Sequence, residues 1–127
     1  MVASPVTLVL GASTNPERYA YKAIVALRQK GHAVVAVGAK EGQVMDVAIQ
    51  TQLPKPYSVD TVSVYLGPNR QKEYIDALIA LEPQRVIFNP GTENPLFSQQ
   101  LIKAGIRCEN ACTLVLLATN QYQSQES

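Results

Sequence analysis

Short apolar runs alternate with amphipathic stretches along this chain, and each apolar run stops at a turn signal. Val6 to Leu10 (VTLVL) ends at Gly11, and Val34 to Val37 ends at Gly38. Thr61 to Tyr65 (TVSVY) ends at Leu66-Gly67-Pro68, and Arg85 to Phe88 (RVIF) ends at Asn89-Pro90-Gly91. Such β-rich runs closed by Gly and Pro predict short strands. A fifth strand is predicted over Ile106 to Glu109.

Helical spacing fills the gaps. Ala20, Ala23, Ile24 and Leu27 fall at i, i+3, i+4 and i+7, with Gly31 as a stop. Ile75, Leu78, Ile79 and Glu82 repeat the spacing, and Pro83 ends it. Phe97, Leu101 and Ala104 form a third face closed by Gly105, and a terminal apolar helix is expected from about Cys112 to Thr119. Ala39 to Asp60, which contains Pro54 and Pro56, shows no helical face and is expected to be a loop with one short strand or helical turn. The polar segment Gln121 to Ser127 is expected to fray as a tail, leaving residues 1–120 as the domain.

Strand–helix–strand repetition implies an α/β fold: a single Rossmann-like, doubly wound domain with right-handed crossovers. The expected sheet is five-stranded and parallel, in the order 3-2-1-4-5, with the first and fourth strands adjacent at the switch point where ligands bind.

Composition narrows the function. At 127 residues and 46% apolar content the chain closes one core. Eleven basic residues against ten acidic ones give a net charge of +1, which argues against nucleic acid, since that partner requires a clustered basic face. The longest apolar stretch, Leu114 to Ala118, is far too short for a membrane span, and Met1 to Pro5 has neither the basic region nor the apolar core of a signal peptide. Cys108 and Cys112 lack a disulfide framework or metal-ligand spacing, so reduced thiols in a cytoplasmic protein are expected.

The first strand–helix turn, Gly11-Ala12-Ser13-Thr14-Asn15-Pro16, offers small residues for close ligand approach. Asn15 and Pro16 suit the N-cap and N1 positions of a helix whose free amides attract a phosphate, with Arg18 and Tyr19 in the first turn. The turn matches neither the dinucleotide fingerprint nor a Walker A sequence, and by itself it reads equally as a plain capped connection. Asn94-Pro95 repeats the Asn-Pro device after the fourth strand, so two such entrances are expected to face one crevice. Lys40, after the second strand, suits a ribose phosphate such as that of NADP or the 3′-phosphate of coenzyme A, or is simply a solvated loop residue. Catalytic sets are hard to find: His32 follows a helix-to-strand turn, Glu93 has no acidic partner, Ser13 lacks a nucleophile elbow, and nothing marks Cys112 as activated.

The succession VLGASTNPERYAYKAI, GHAVVAVGAK, DTVSVYLGP, RVIFNPGTEN, AGI and CTLVLL resembles the small stand-alone CoA-binding proteins, whose fold is similar to the CoA-binding domain of the succinyl-CoA synthetase alpha subunit. The resemblance runs from about Val6 to Leu117. It implies that Gly11, Ala12, Ser13, Thr14 and Asn15 cradle the diphosphate, supported by Arg18 and Tyr19. Val37, Gly38 and Lys40 would face the adenosine, with Lys40 near the 3′-phosphate. Tyr65, Leu66 and Pro68 would flank the ligand, and Asn89, Pro90, Gly91, Glu93 and Asn94 would close the crevice. The implied cofactor is coenzyme A or an acyl-CoA, bound without evident catalysis; no counterpart of the synthetase's catalytic histidine and no ATP-grasp partner domain is visible. An NAD(P)-dependent oxidoreductase, or a regulatory subunit with a vestigial nucleotide site, is the alternative. A second copy of the chain or another protein is a candidate partner.

Overall fold

In the first strand, β1 (Val6–Ala12), successive side chains point to opposite faces, and both faces are covered. Leu8 and Leu10 face one core, and Val9 faces the other. A near-continuous apolar run of this kind marks an interior parallel strand. The computed structural model describes residues 5–53 and 58–123; Pro54 and Pro56 lie outside the described residues.

The elements after β1 are α1 (Tyr19–Gln29), β2 (Ala33–Gly38), β3 (Gly42–Val44), β4 (Val47–Gln50), β5 (Thr61–Val64) and α2 (Pro68–Gln71). A 3-10 turn over Lys72–Tyr74 leads into α3 (Ile75–Leu81), then β6 (Arg85–Phe88), α4 (Pro95–Lys103), β7 (Arg107–Asn110) and α5 (Thr113–Ala118). The helices containing Ile75 and Phe97 pack with Leu8, Leu10, Val62, Val64 and Phe88 on one face. Ile24 and Leu27 of α1 and Leu117 of α5 pack with Val9, Ala36 and Ile87 on the other.

The sheet departs from the expected five parallel strands in the order 3-2-1-4-5. It has seven strands in the order β3-β4-β2-β1-β5-β6-β7, and β3 runs antiparallel to β4. The cause is the segment expected to be mostly loop. Val44, Val47 and Ile49 are buried on one side of a hairpin that pairs with the free edge of β2. Met45, at a left-handed φ of 53°, turns the hairpin, and Asp46 is clamped to α1 by Arg28 through hydrogen bonds of 2.9 and 2.7 Å. With that edge occupied, Thr61–Val64 pairs on the far side of β1. The neighbours of β1 are therefore β2 and β5, and the switch point lies between β1 and β5 rather than beside β6.

Of the segment expected to fray, residues 124–127 lie outside the described residues, and Tyr122 is packed against the fold. Tyr122 is buried, its hydroxyl 2.5 Å from Thr7 Oγ1, and its carbonyl accepts from Arg85 Nη2.

Candidate functional site

At the carboxyl end of β1 the register with β2 slips by one residue between Leu10 and Ala12. Gly11 sits at this bulge with φ +98°, a region that L side chains rarely adopt. A Cβ there would stand 3.0 Å from the carbonyl carbon of Tyr65 and 3.2 Å from the nitrogen of Leu66. Gly38 is needed for the same tight approach, since a Cβ on it would lie 2.3 Å from the Ala12 oxygen. These two glycines let three strand ends converge.

The chain after Gly11 does not form the cap expected of Asn15 and Pro16. Ser13 Oγ accepts the Asn15 amide at 3.0 Å, Asn15 Oδ1 accepts the Glu17 amide at 3.0 Å, and the Arg18 amide donates to the Asn15 carbonyl. These local bonds hold a turn, and α1 begins three residues later with Arg18, in extended conformation, at its N-cap. The second device behaves as expected: Asn94 Oδ1 accepts the Phe97 amide at 3.2 Å, with Pro95 opening α4.

The loops enclose an open cleft of about 830 Å³. Of the residues singled out from sequence, Gly11, Ala12, Ser13, Thr14, Arg18, Tyr19, Lys40, Tyr65, Leu66, Pro90 and Gly91 line it. The others stand behind or beside it. Val37 is fully buried in the sheet, Gly38 backs Ala12, Asn15 holds the turn, and Pro68 opens α2. Glu93 Oε1 accepts the Gly91 amide at 3.0 Å, and Asn94 caps α4. Asn89 lies in the core below the cleft. Its Nδ2 donates to Ser63 Oγ and to the Val64 carbonyl, each at 2.9 Å, and its Oδ1 accepts the Thr113 amide at 2.8 Å.

The cleft also takes in Ala39, Glu41, Gly67 and Thr92, which lie within or beside the loops expected to bind, and Glu17, Ala20 and Arg70, which the sequence reading did not single out. Arg70 was legible in principle: Gly67-Pro68 is, like Asn94-Pro95, a proline-started helix entrance, and Arg70 falls in its first turn. Three cations (Arg18, Lys40, Arg70) and two carboxylates (Glu17, Glu41) thus share the cleft. Among the described residues the ion pairs are Arg28–Asp46, Arg85–Glu109 and Arg107–Glu109, so none of the three cleft cations is neutralised in this way.

Of the displaced titratable groups, Tyr65 lines this cleft and His32 lies far from it. Burial pushes the Tyr65 hydroxyl up to about 12, keeping it protonated, against the opposing influence of the Ser63 and Thr113 hydroxyls nearby. His32 lies at the opposite, amino-terminal end of β2, edge-on to the Tyr122 ring at 5.0 Å. Cys108 and Cys112 are free thiols, and no three His, Cys, Asp or Glu side chains among the described residues form a metal-binding group. No helix among the described residues is long and apolar enough to cross a membrane.

The same architecture recurs in solved structures. A crystal structure of an uncharacterized protein is 40% identical, covers 94% of this chain and 99% of its own, and superposes with a TM-score of 0.89. A protein from Thermus thermophilus, cell-free ID.343, is 23% identical, with coverage of 93% and 90% and a TM-score of 0.81. The dinucleotide-forming acetyl-coenzyme A synthetase 1 of Ca. Korarchaeum cryptofilum, in complex with phosphate and ADP, shares the fold at 15% identity and a TM-score of 0.71. The match covers 84% of this chain but 25% of the synthetase. No curated protein matches the chain significantly. The sequence profile of the CoA binding domain matches residues 6–118, which take in the whole sheet, the helices on both its faces and the cleft just described, and the chain belongs to that CoA-binding family.

Proposed function

We propose that the cleft binds coenzyme A by its nucleotide end and that the protein acts as a CoA-binding module. The observation that carries this reading is the convergence, at one mouth, of the Gly11 bulge, the start of α1 and three cations that take part in no ion pair among the described residues. Backbone amides at a helix start and guanidinium or ammonium groups are the donors a diphosphate requires. The diphosphate lies against Gly11 to Thr14, the adenosine runs over the end of β2 toward Ala39 and Lys40, and Lys40 meets the 3′-phosphate. The remainder of the ligand leaves between the Tyr65–Gly67 and Pro90–Thr92 walls. An acyl group on the ligand is compatible with this exit. NADP is the competing ligand, because Lys40 would equally meet its ribose phosphate.

Melting shifts with CoA, acetyl-CoA, NADP and NAD test the ligand class: a ligand at a hundred times its Kd stabilises the fold by about 2.7 kcal/mol. CoA or acetyl-CoA giving the larger shift supports the reading; a shift with NADP alone overturns it. Lys40→Glu should weaken CoA more than dephospho-CoA, since a charge-assisted contact to phosphate is worth about 1.5–3 kcal/mol. Equal losses would remove Lys40 from the 3′-phosphate.

A further inference from the structure

Gln71, the last residue of α2, is fully buried, an uncommon state for an amide side chain. Its Nε2 donates to the Leu66 carbonyl at 2.9 Å and to the Thr92 carbonyl at 2.8 Å. Its Oε1 accepts from Asn94 Nδ2 at 3.1 Å. The two donated bonds use both protons of the amide, and their acceptors belong to different loops: Leu66 follows β5, and Thr92 follows β6. Both loops are cleft walls. Thr92 is held further, its hydroxyl donating to the Asn89 carbonyl at 2.8 Å. One side chain therefore joins two walls that β-sheet hydrogen bonds no longer join beyond the strand ends.

The neighbouring residue is Arg70, which is exposed, lines the cleft, and takes part in none of the ion pairs among the described residues. Its backbone amide donates to the Gly67 carbonyl at 3.0 Å within the same turn. A guanidinium on a flexible stem loses side-chain entropy on binding an anion, and a fixed backbone at its root reduces that loss.

We infer that Arg70 is the cation that grips the ligand's diphosphate from the β5 side of the cleft, and that Gln71 is the positioning residue that holds it there. The inference rests on the proposed binding of coenzyme A and adds a contact opposite the Gly11–Thr14 turn.

Dephospho-CoA, which carries the diphosphate without the 3′-phosphate, is titrated calorimetrically into the full chain as wild type, Arg70→Gln, Gln71→Met and the double variant. Circular dichroism checks that each is folded. Arg70 is exposed, so its variant keeps the fold; if Gln71→Met does not fold, Gln71→Asn replaces it, keeping a polar amide that is too short to span both carbonyls. Each single variant should weaken binding about ten-fold, the loss of one charge-assisted contact. The double variant should also lose about ten-fold rather than a hundred-fold, because Gln71 acts through Arg70 and the two effects do not add. Arg70→Lys should recover part of the loss. Additive losses would reduce Gln71 to a purely structural role, and wild-type affinity in Arg70→Gln would place the diphosphate elsewhere. Either outcome overturns the inference while wild-type binding keeps the CoA reading intact. Wild type that binds neither dephospho-CoA nor CoA would instead overturn the CoA reading and this inference with it.

Discussion

The guanidinium of Arg85 lies 4.6 Å from the centre of the Tyr122 ring and donates to the Tyr122 carbonyl. Arg85 is itself buried, donating through Nε to Thr61 Oγ1 at 2.9 Å, with Glu109 3.7 Å from Nη1. A buried charge is tolerated only when its donors find partners. Tyr122 supplies both a carbonyl and a π-face, so this residue is part of the core at the amino-terminal end of the sheet.

Tyr122→Ala should therefore destabilise the fold by about 3–5 kcal/mol, the range for losing a large buried aromatic side chain. Tyr122→Phe should cost about 1–3 kcal/mol by leaving the buried Thr7 hydroxyl without the tyrosine's, and adding Thr7→Val should recover most of that cost. Urea unfolding of the three variants checks this. A neutral Tyr122→Ala would detach the segment from the core.

Stability should fall on mild acidification through His32. Burial first, then the charges of Arg85 and Lys30, lower its pKa below 6.5. The unfolded chain therefore takes up a proton on His32 at a higher pH than the folded chain does. The contribution is complete above about pH 6.5 and is lost as pH falls through the lowered folded value. Melting temperatures of wild type and His32→Gln between about pH 5 and 7.5 isolate it. Parallel pH profiles would exclude His32 as the source.

Asn89→Asp should be severely destabilising, by about 3 kcal/mol or more. It replaces two donated bonds, to Ser63 Oγ and the Val64 carbonyl, with a buried carboxylate facing acceptors. Asn89→Ala should cost less, because it leaves unpaired groups but no buried charge. Chemical denaturation of both gives the order; Asn89→Asp as stable as Asn89→Ala would mean that the network admits water or rearranges.

Glycine substitutions should separate binding from folding. Gly38→Ala should be among the most destabilising, because its Cβ meets a backbone oxygen at 2.3 Å. Gly11→Val should lose both ligand binding and stability, since its φ is strained and its Cβ meets the backbone of Tyr65 and Leu66. Gly42→Ala meets only the end of the Thr14 side chain, at 2.5 Å, so it should fold and disturb ligand binding through Thr14. Thermal melts beside CoA titrations would show this ranking; a Gly38→Ala variant melting with wild type would contradict it.

Strand–helix alternation, the five core strand runs and the small-residue turn at Gly11 were legible in the sequence, because burial on both faces and turn chemistry are local signals. Asn94-Pro95 as a helix entrance was legible for the same reason. The order of the strands was not. It depended on the Val44–Val47 hairpin, whose Met45 turn carries no glycine signal and whose stability comes from Arg28 and the edge of β2. The same limit governed the cleft. Local composition pointed to Gly11 through Asn15, Arg18, Tyr19 and Lys40, whereas the Leu66 and Thr92 loops are joined through Gln71, beside the cleft residue Arg70, only by bonds between loops after different strands. Asn15 shows the converse: an Asn-Pro pair fits a helix cap or a turn equally well, and the hydrogen bonds from Asn15 and Glu17 settled it as a turn. Sequence thus determined which segments are strands and helices and where close approach is possible. Tertiary pairing decided which strand ends are neighbours, because a free sheet edge accepts whichever strand can bury its apolar side against the rest of the fold.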